Sequence, residues 1–79
     1  LTHIHLDRER IDEIDNLVEY LGNITHLYLN VNQIRRIENL EFLQNLKFLV
    51  LSNNLIEKLE NLNQLINLKL LDISFNLID

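Results

Sequence analysis

The sequence predicts an α/β solenoid, in which short parallel strands line one side of a stack and helical or 3₁₀ return segments line the other. Three asparagines, Asn32, Asn54 and Asn76, lie 22 residues apart. Each has the same place in a frame of aliphatic residues, Leu-x-x-Leu-x-Leu-x-x-Asn-x-Ile with conservative replacements. A fixed period of this length is typical of stacked repeats, because one unit cannot bury its apolar edge without its neighbours.

The frame divides the 79 residues into one domain of three full repeats and a partial fourth. The repeats are residues 1–23, 24–45, 46–67 and 68–79. The first is one residue longer than the others, and Gly22 falls at the extra step, where its backbone freedom can absorb the insertion. Because neither end carries a recognisable terminal cap, we expect these residues to be a fragment of a longer protein.

Each repeat contains a short strand with alternating core and surface positions. Side chains on a strand repeat every second residue, so residues between the core positions face the opposite surface. The predicted surface positions of the strands are His3, His5, His26, Tyr28, Phe48, Val50, Leu70 and Asp72. Two further columns lie at the lip of the sheet, and they contain Asp7, Asn30, Ser52 and Ser74, and then Arg8, Val31, Asn53 and Phe75.

Asparagine has two predicted structural roles in the repeat. The frame asparagines are expected to bond to backbone groups of their own turn and of the neighbouring repeat, with Glu9 in their place in the first repeat. After them, aliphatic residues spaced by three and four suggest a helical or 3₁₀ return segment. Asn16, Asn39 and Asn61 each follow an acidic residue in this return and are predicted to be helix caps.

Composition and charge exclude several classes of function. The chain has no cysteine, which fits a reducing compartment, so we expect an intracellular, cytoplasmic protein. A net charge of −5 with scattered basic residues argues against nucleic acid as a partner, and no apolar run is long enough for a membrane span. A phosphate-binding loop and a nucleophile motif are both missing. We therefore expect no enzyme, no cofactor and no small-molecule substrate.

Apolar surface positions on the predicted sheet suggest a protein-binding site. A monomer gains nothing from apolar side chains there, and exposed patches of this kind often mark protein contacts. The predicted site has Tyr28, Phe48 and Val50 at its centre. Around them lie His5, His26, Asp72 and Phe75. Two alternatives stay open: a following repeat or domain covers part of this surface, or the chain is a spacer within a larger assembly.

The three histidines allow an alternative of another class. His3 and His5 share one strand face, and His26 lies on the neighbouring strand about 4.8 Å away. Three imidazoles can hold zinc with an open position, and zinc can activate water. No carboxylate is placed to support such ligands, and the same residues can equally form a polar, pH-sensitive patch.

The frame resembles the leucine-rich repeat family over the whole chain. The 22-residue length and the Ile-x-x-Ile-Glu-Asn-Leu-x-x-Leu pattern at 34–43 and 56–65 are similar to the subclass of the leucine-rich regulatory subunit of protein phosphatase-1 and the axonemal outer-arm dynein light chain. Residues 5–11, His-Leu-Asp-Arg-Glu-Arg-Ile, resemble the first repeat of some cilium-associated leucine-rich repeat proteins. The resemblance implies partner binding on a concave sheet, in a ciliary or axonemal assembly or, alternatively, as a regulatory subunit of a protein phosphatase.

Overall fold

Four short strands form a single parallel sheet. The computed structural model describes residues 2–15 and 23–78. The strands are β1 (His3–His5), β2 (His26–Tyr28), β3 (Phe48–Val50) and β4 (Leu70–Asp72). Their order in the sheet is β1-β2-β3-β4, so strands that follow one another in sequence are neighbours in space. This is the strand arrangement that the repeat frame predicts.

The strands pair in register with the repeat. His3 pairs with His26, which pairs with Phe48, which in turn pairs with Leu70. The offset is therefore 23 residues between β1 and β2 and 22 residues at each later step. Because one strand is added per repeat, residues at the same place in the frame lie next to each other across the sheet. Columns that can be read from the aligned repeats are thus columns of neighbouring side chains.

The return segments are not helical in the described residues, so this part of the fold prediction is wrong for residues 2–15 and 23–78. The return of the second repeat consists of tight turns, in which the Leu43 amide donates to the Leu40 carbonyl and the Leu46 amide to the Leu43 carbonyl, both at 3.0 Å. The third repeat has the same turns at Leu62, Leu65 and Leu68. Successive turns of this kind bring every third residue to the interior, which produces the apolar spacing that suggested a helix.

Asn39 and Asn61 are not helix caps. Both have a left-handed backbone, with φ of 62° and 60°, which asparagine tolerates and a helix does not. Their Nδ2 groups donate to carbonyls of the preceding repeat, from Asn39 to Ile14 at 2.6 Å and from Asn61 to Ile37 at 2.7 Å. They therefore tie each return to the one before it. The predictions for Asn16 and Gly22 lie outside the described residues.

The core is wholly aliphatic and spans the repeats. Its buried members all occupy aliphatic positions of the frame, and they are Ile14, Ile24, Leu27, Leu29, Ile34, Ile37, Leu40, Leu43, Leu46, Leu49, Leu51, Ile56 and Leu65. The apolar residues at either end of the stack are only partly buried. Examples are Ile4 in the middle of β1 and Leu71 in the middle of β4. Burial of one such side chain contributes about 1.5–3 kcal/mol. Each repeat therefore depends on its neighbours for most of its stability.

No helix among the described residues is long and apolar enough to cross a membrane.

The frame asparagines form the predicted ladder. The Oδ1 atom of Asn54 accepts from the Ile34 amide at 3.0 Å. Its Nδ2 group donates at 3.0 Å to the carbonyls of Leu29 and Leu51, which belong to the preceding repeat and to its own. Asn32 and Asn76 make corresponding bonds. Each side chain thus satisfies backbone groups on two repeats at once.

The residue before each frame asparagine, and before Glu9 in the first repeat, has a left-handed backbone. The φ angles of Arg8, Val31, Asn53 and Phe75 lie between 56° and 58°. Asparagine adopts this conformation readily, whereas a β-branched residue does so only at a cost of about 1–3 kcal/mol. Val31, which is 38% exposed, recovers little of that cost by burial. The second repeat therefore contains local strain that the third repeat avoids.

Replacing Val31 with asparagine should raise the free energy of unfolding by about 1 kcal/mol, because the strain is relieved while little apolar contact is lost. Urea unfolding followed by circular dichroism measures the change. The matched exchange, Asn53→Val, introduces the same strain in the next repeat and should lower stability by a similar amount. A Val31→Asn variant that is less stable than the parent would show that this conformation is not strained.

Candidate functional site

The surface positions of the strands lie on the side of the sheet away from the core. Leu27 and Leu49, the middle residues of β2 and β3, are fully buried, and the residues on either side of them are half-buried. In β1 the outer residues His3 and His5 are exposed. We call the outward residues of the four strands the sheet surface. Its members are His3, His5, His26, Tyr28, Phe48, Val50, Leu70 and Asp72.

Two rows of stacked rings cover the first three strands of the sheet surface. In the first row, the His26 ring stacks between His3 and Phe48, with ring centroids 3.8 and 4.3 Å apart. In the second row, His5 stacks on Tyr28 at 4.4 Å with an interplanar angle of 4°. In-register parallel pairing places the rings of one column directly beside each other, because neighbouring strands lie about 4.8 Å apart. The rows bring five of the predicted surface residues into one continuous aromatic surface.

Threonine hydroxyls hold two of the histidine rings. The Oγ1 atom of Thr2 lies 2.9 Å from Nδ1 of His3, and Oγ1 of Thr25 lies 2.8 Å from Nδ1 of His26. Burial, together with electrostatic repulsion from the neighbouring His3 and Lys47 side chains, lowers the pKa of His26. The neutral imidazole is thereby favoured between the neighbouring rings. Each threonine directly precedes its histidine in the frame, so the same hydroxyl–imidazole hydrogen bond occurs in two repeats.

The histidines do not form the alternative zinc site. Within residues 2–15 and 23–78, no group of three histidine, cysteine, aspartate or glutamate side chains is arranged to hold a metal ion. The rings of His3 and His26 are nearly parallel, with an interplanar angle of 12°, so their nitrogens do not converge on one point. The second row places His5 against Tyr28 instead of against the other two histidines. The three imidazoles are thus arranged as stacking surfaces.

Asp72 places a fixed negative charge at the end of β4. One carboxylate oxygen accepts from the Ser74 hydroxyl at 2.7 Å and from the Ser74 amide at 3.1 Å. These bonds lower the pKa of Asp72, so it is ionised at neutral pH. Phe75 follows at the lip and is 79% exposed. It takes part in none of the ring contacts among the described residues, so it lies apart from the two rows.

Sequence reasoning missed the column that precedes the strands. This column contains Thr2, Thr25, Lys47 and Lys69. Backbone hydrogen bonds of 2.8 Å join Lys47 to Thr25 and Lys69 to Lys47, so the column is continuous across the repeats. The lysines look scattered in the linear sequence. Aligning them by the 22-residue frame would have brought them together.

The stacked rings of the sheet surface line none of the three depressions given by residues 2–15 and 23–78. Shallow depressions occur elsewhere, and one of them, on the return segments, is lined by Asp12, Glu13, Arg35, Arg36 and Glu38. None of the stacked rings lines this depression. A pocket that encloses a small ligand typically combines an apolar lining with a few placed polar groups, and this depression is almost entirely charged. The sheet surface is therefore suited to contact with another macromolecule.

Parallel strands added one per repeat, with a ladder of asparagines between them, define a solenoid repeat protein. Residues 22–64, more than half of the chain, match the family model for leucine-rich repeats, in two copies. The chain belongs to the leucine-rich repeat family. Comparison with curated proteins gives no match. Leucine-rich repeat domains generally mediate protein–protein interaction and are typically non-catalytic.

Proposed function

We propose that the chain is a non-catalytic interaction module that binds a partner protein on the sheet surface, with Tyr28, Phe48 and Val50 at the centre of the contact. The observation that carries the proposal is the pair of ring rows on the side of the sheet away from the core. The side chains of Tyr28, Phe48 and Val50 there add no interior packing. They do offer a continuous surface of the kind that protein partners cover.

The stacked rings are already ordered before a partner arrives. Each ring of the first row contacts the next at 4.3 Å or less, and Tyr28 is held against His5. Binding therefore immobilises few additional side chains, which reduces the entropic cost of association. Binding energy in protein interfaces is concentrated in such central aromatic residues. His5, His26, Asp72 and Phe75 supply the surrounding contacts in this proposal.

The cellular setting is a prediction from resemblance and composition. A ciliary or axonemal assembly follows from the likeness of residues 5–11, and an intracellular location follows from the lack of cysteine. Regulation of a protein phosphatase rests on subclass likeness alone, and binding on the sheet surface does not depend on it. The proposal therefore concerns which surface is used and what class of partner it takes.

The double substitution Tyr28→Ala and Phe48→Ala should abolish partner binding. Truncation of a central aromatic residue typically costs about 2 kcal/mol or more of binding free energy, and here both anchors are removed. Crosslinking mass spectrometry on the protein in its native cells first identifies the partner. Quantitative co-purification of that partner then compares the double variant with the parent.

Phe42 provides the matched control. It is an aromatic residue on a return segment, 64% exposed, and Phe42→Ala should leave co-purification unchanged. Urea unfolding of all variants verifies that the fold is intact. Undiminished binding by a folded Tyr28→Ala/Phe48→Ala variant would reject this surface as the binding site.

A further inference from the structure

Two adjacent lysines form a basic edge beside the sheet surface. Lys47 and Lys69 immediately precede β3 and β4, and both are exposed. The 2.8 Å bond between the Lys69 amide and the Lys47 carbonyl places them on neighbouring rungs. Neither forms an ion pair with another described residue; the pair recorded in residues 2–15 and 23–78 is Arg36 with Glu60, at 3.9 Å. Two ammonium groups on neighbouring rungs repel each other unless an anion lies between them.

The opposite edge of the sheet has charges of both signs. Asp72 is ionised at the end of β4, and Asp7 after β1 is followed directly by the exposed Arg8. Between the two edges lie the ring rows and Val50. Along the strand direction, the surface therefore changes from a basic edge to an apolar centre and then to an edge of mixed charge. In a chain with a net charge of −5, a basic edge next to the apolar centre is a local departure from the overall charge.

The residue directly before each strand differs between the first two repeats and the last two. There it is occupied by Thr2 and Thr25, whose hydroxyls contact the following histidines. Lys47 and Lys69 instead precede Phe48 and Leu70, whose side chains have no polar atom that could form a hydrogen bond. The lysine ammonium groups therefore have no polar partner on the following residue and are available to a ligand.

We propose that the partner segment bound on the sheet surface is acidic and apolar, with carboxylates that pair with Lys47 and Lys69 next to apolar side chains that cover Phe48 and Val50. This inference rests on the proposed function and adds the chemistry of the partner. Charge complementarity across an interface fixes the orientation of the partner and its selection over others. Two lysines beside an apolar centre do not form the extended basic stripe that nucleic acid requires.

Two synthetic helical peptides test the proposal. They share one apolar face and differ only in the residues that flank it, which are glutamates in one peptide and lysines in the other. Titration into the isotopically labelled chain, followed by amide chemical shifts, gives the affinity and the residues affected. We expect the glutamate peptide to bind about tenfold more tightly and to shift the amides of Lys47, Phe48 and Tyr28. The difference should shrink as salt screens the charges.

Charge reversal gives the sharper comparison. The double variant Lys47→Glu/Lys69→Glu should reverse the preference, so that the lysine peptide binds more tightly. Lys58 is an exposed lysine on a return segment, so Lys58→Glu is the matched control and should leave the preference unchanged. Equal affinity for the two peptides, no binding of either, or an equal effect of Lys58→Glu would each overturn the inference. So would an oligonucleotide that binds at these lysines when the glutamate peptide does not.

The same charge variant, tested against the natural partner in native cells, separates this inference from the proposed function. Loss of the natural partner in both Tyr28→Ala/Phe48→Ala and Lys47→Glu/Lys69→Glu supports both. If only the aromatic variant loses the partner, the proposed function stands and the acidic chemistry is rejected. If the aromatic variant keeps the partner, the proposed function itself fails.

Discussion

Replacing Asn54 with alanine should lower the free energy of unfolding by about 4 kcal/mol. The buried Ile34 amide loses its partner, which costs about 1–3 kcal/mol, and two bonds to carbonyls are lost at about 0.5–1.5 kcal/mol each. Asn54 is only 5% exposed. Its side chain bonds to the Ile34 amide and to the carbonyls of Leu29 and Leu51. Asn32 and Asn76 still donate to these two carbonyls, so alanine leaves the Ile34 amide unpaired and removes one of the bonds of each carbonyl. For a small solenoid this is a large fraction of the total stability.

Urea denaturation of the Asn54→Ala variant measures this loss. Asn63→Ala is a suitable control, because Asn63 is an exposed asparagine of the same repeat and its replacement should change stability by about 0.5 kcal/mol or less. If Asn54→Ala destabilised the chain no more than Asn63→Ala, the ladder would not hold the repeats together.

Leu49→Ala should destabilise the chain by about 3 kcal/mol. Leu49 is fully buried at the centre of β3, between Leu27 and Leu71 on the flanking strands. Truncation of a buried leucine costs about 2–5 kcal/mol, which combines lost transfer free energy with the cavity that remains. The central strand has neighbours on both sides, so a cavity there cannot be filled from solvent.

The neighbouring residue on the same strand shows whether the two faces differ as described. Val50 is half-buried on the sheet surface, and Val50→Ala should cost about 1 kcal/mol or less. Thermal and urea unfolding of the two single variants give the comparison. A cost for Val50→Ala equal to that for Leu49→Ala would mean that the strand is buried on both faces.

The strands could be predicted from sequence because two periods coincide in them. Alternation by two within a period of 22 assigns Leu27 and Leu49 to the core and Tyr28 and Phe48 to the surface without ambiguity. The returns could not be predicted in the same way. Apolar spacing of three and four fits a helix, but a spacing of three also fits successive tight turns. Left-handed asparagines at Asn39 and Asn61 exclude a helix there, and this conformation has no unique sequence signal.

The candidate site was predictable as a set of positions but not as a set of contacts. Alternation identifies His3, His5, His26 and Tyr28 as surface residues, yet it does not specify ring orientation. Stacking depends on side-chain rotamers and on the Thr25 hydroxyl at His26, which the pattern alone does not reveal. For this reason three histidines that could hold zinc by spacing form stacked rows instead.

The most direct measurement of the central claim is site-specific photocrosslinking of the protein in its native cells. A photoreactive phenylalanine analogue replaces Phe48 on the sheet surface or, in a second variant, Phe42 on a return segment. The account predicts that the Phe48 position crosslinks to a single partner protein and that the Phe42 position does not. A partner crosslinked from Phe42 and not from Phe48 would contradict it.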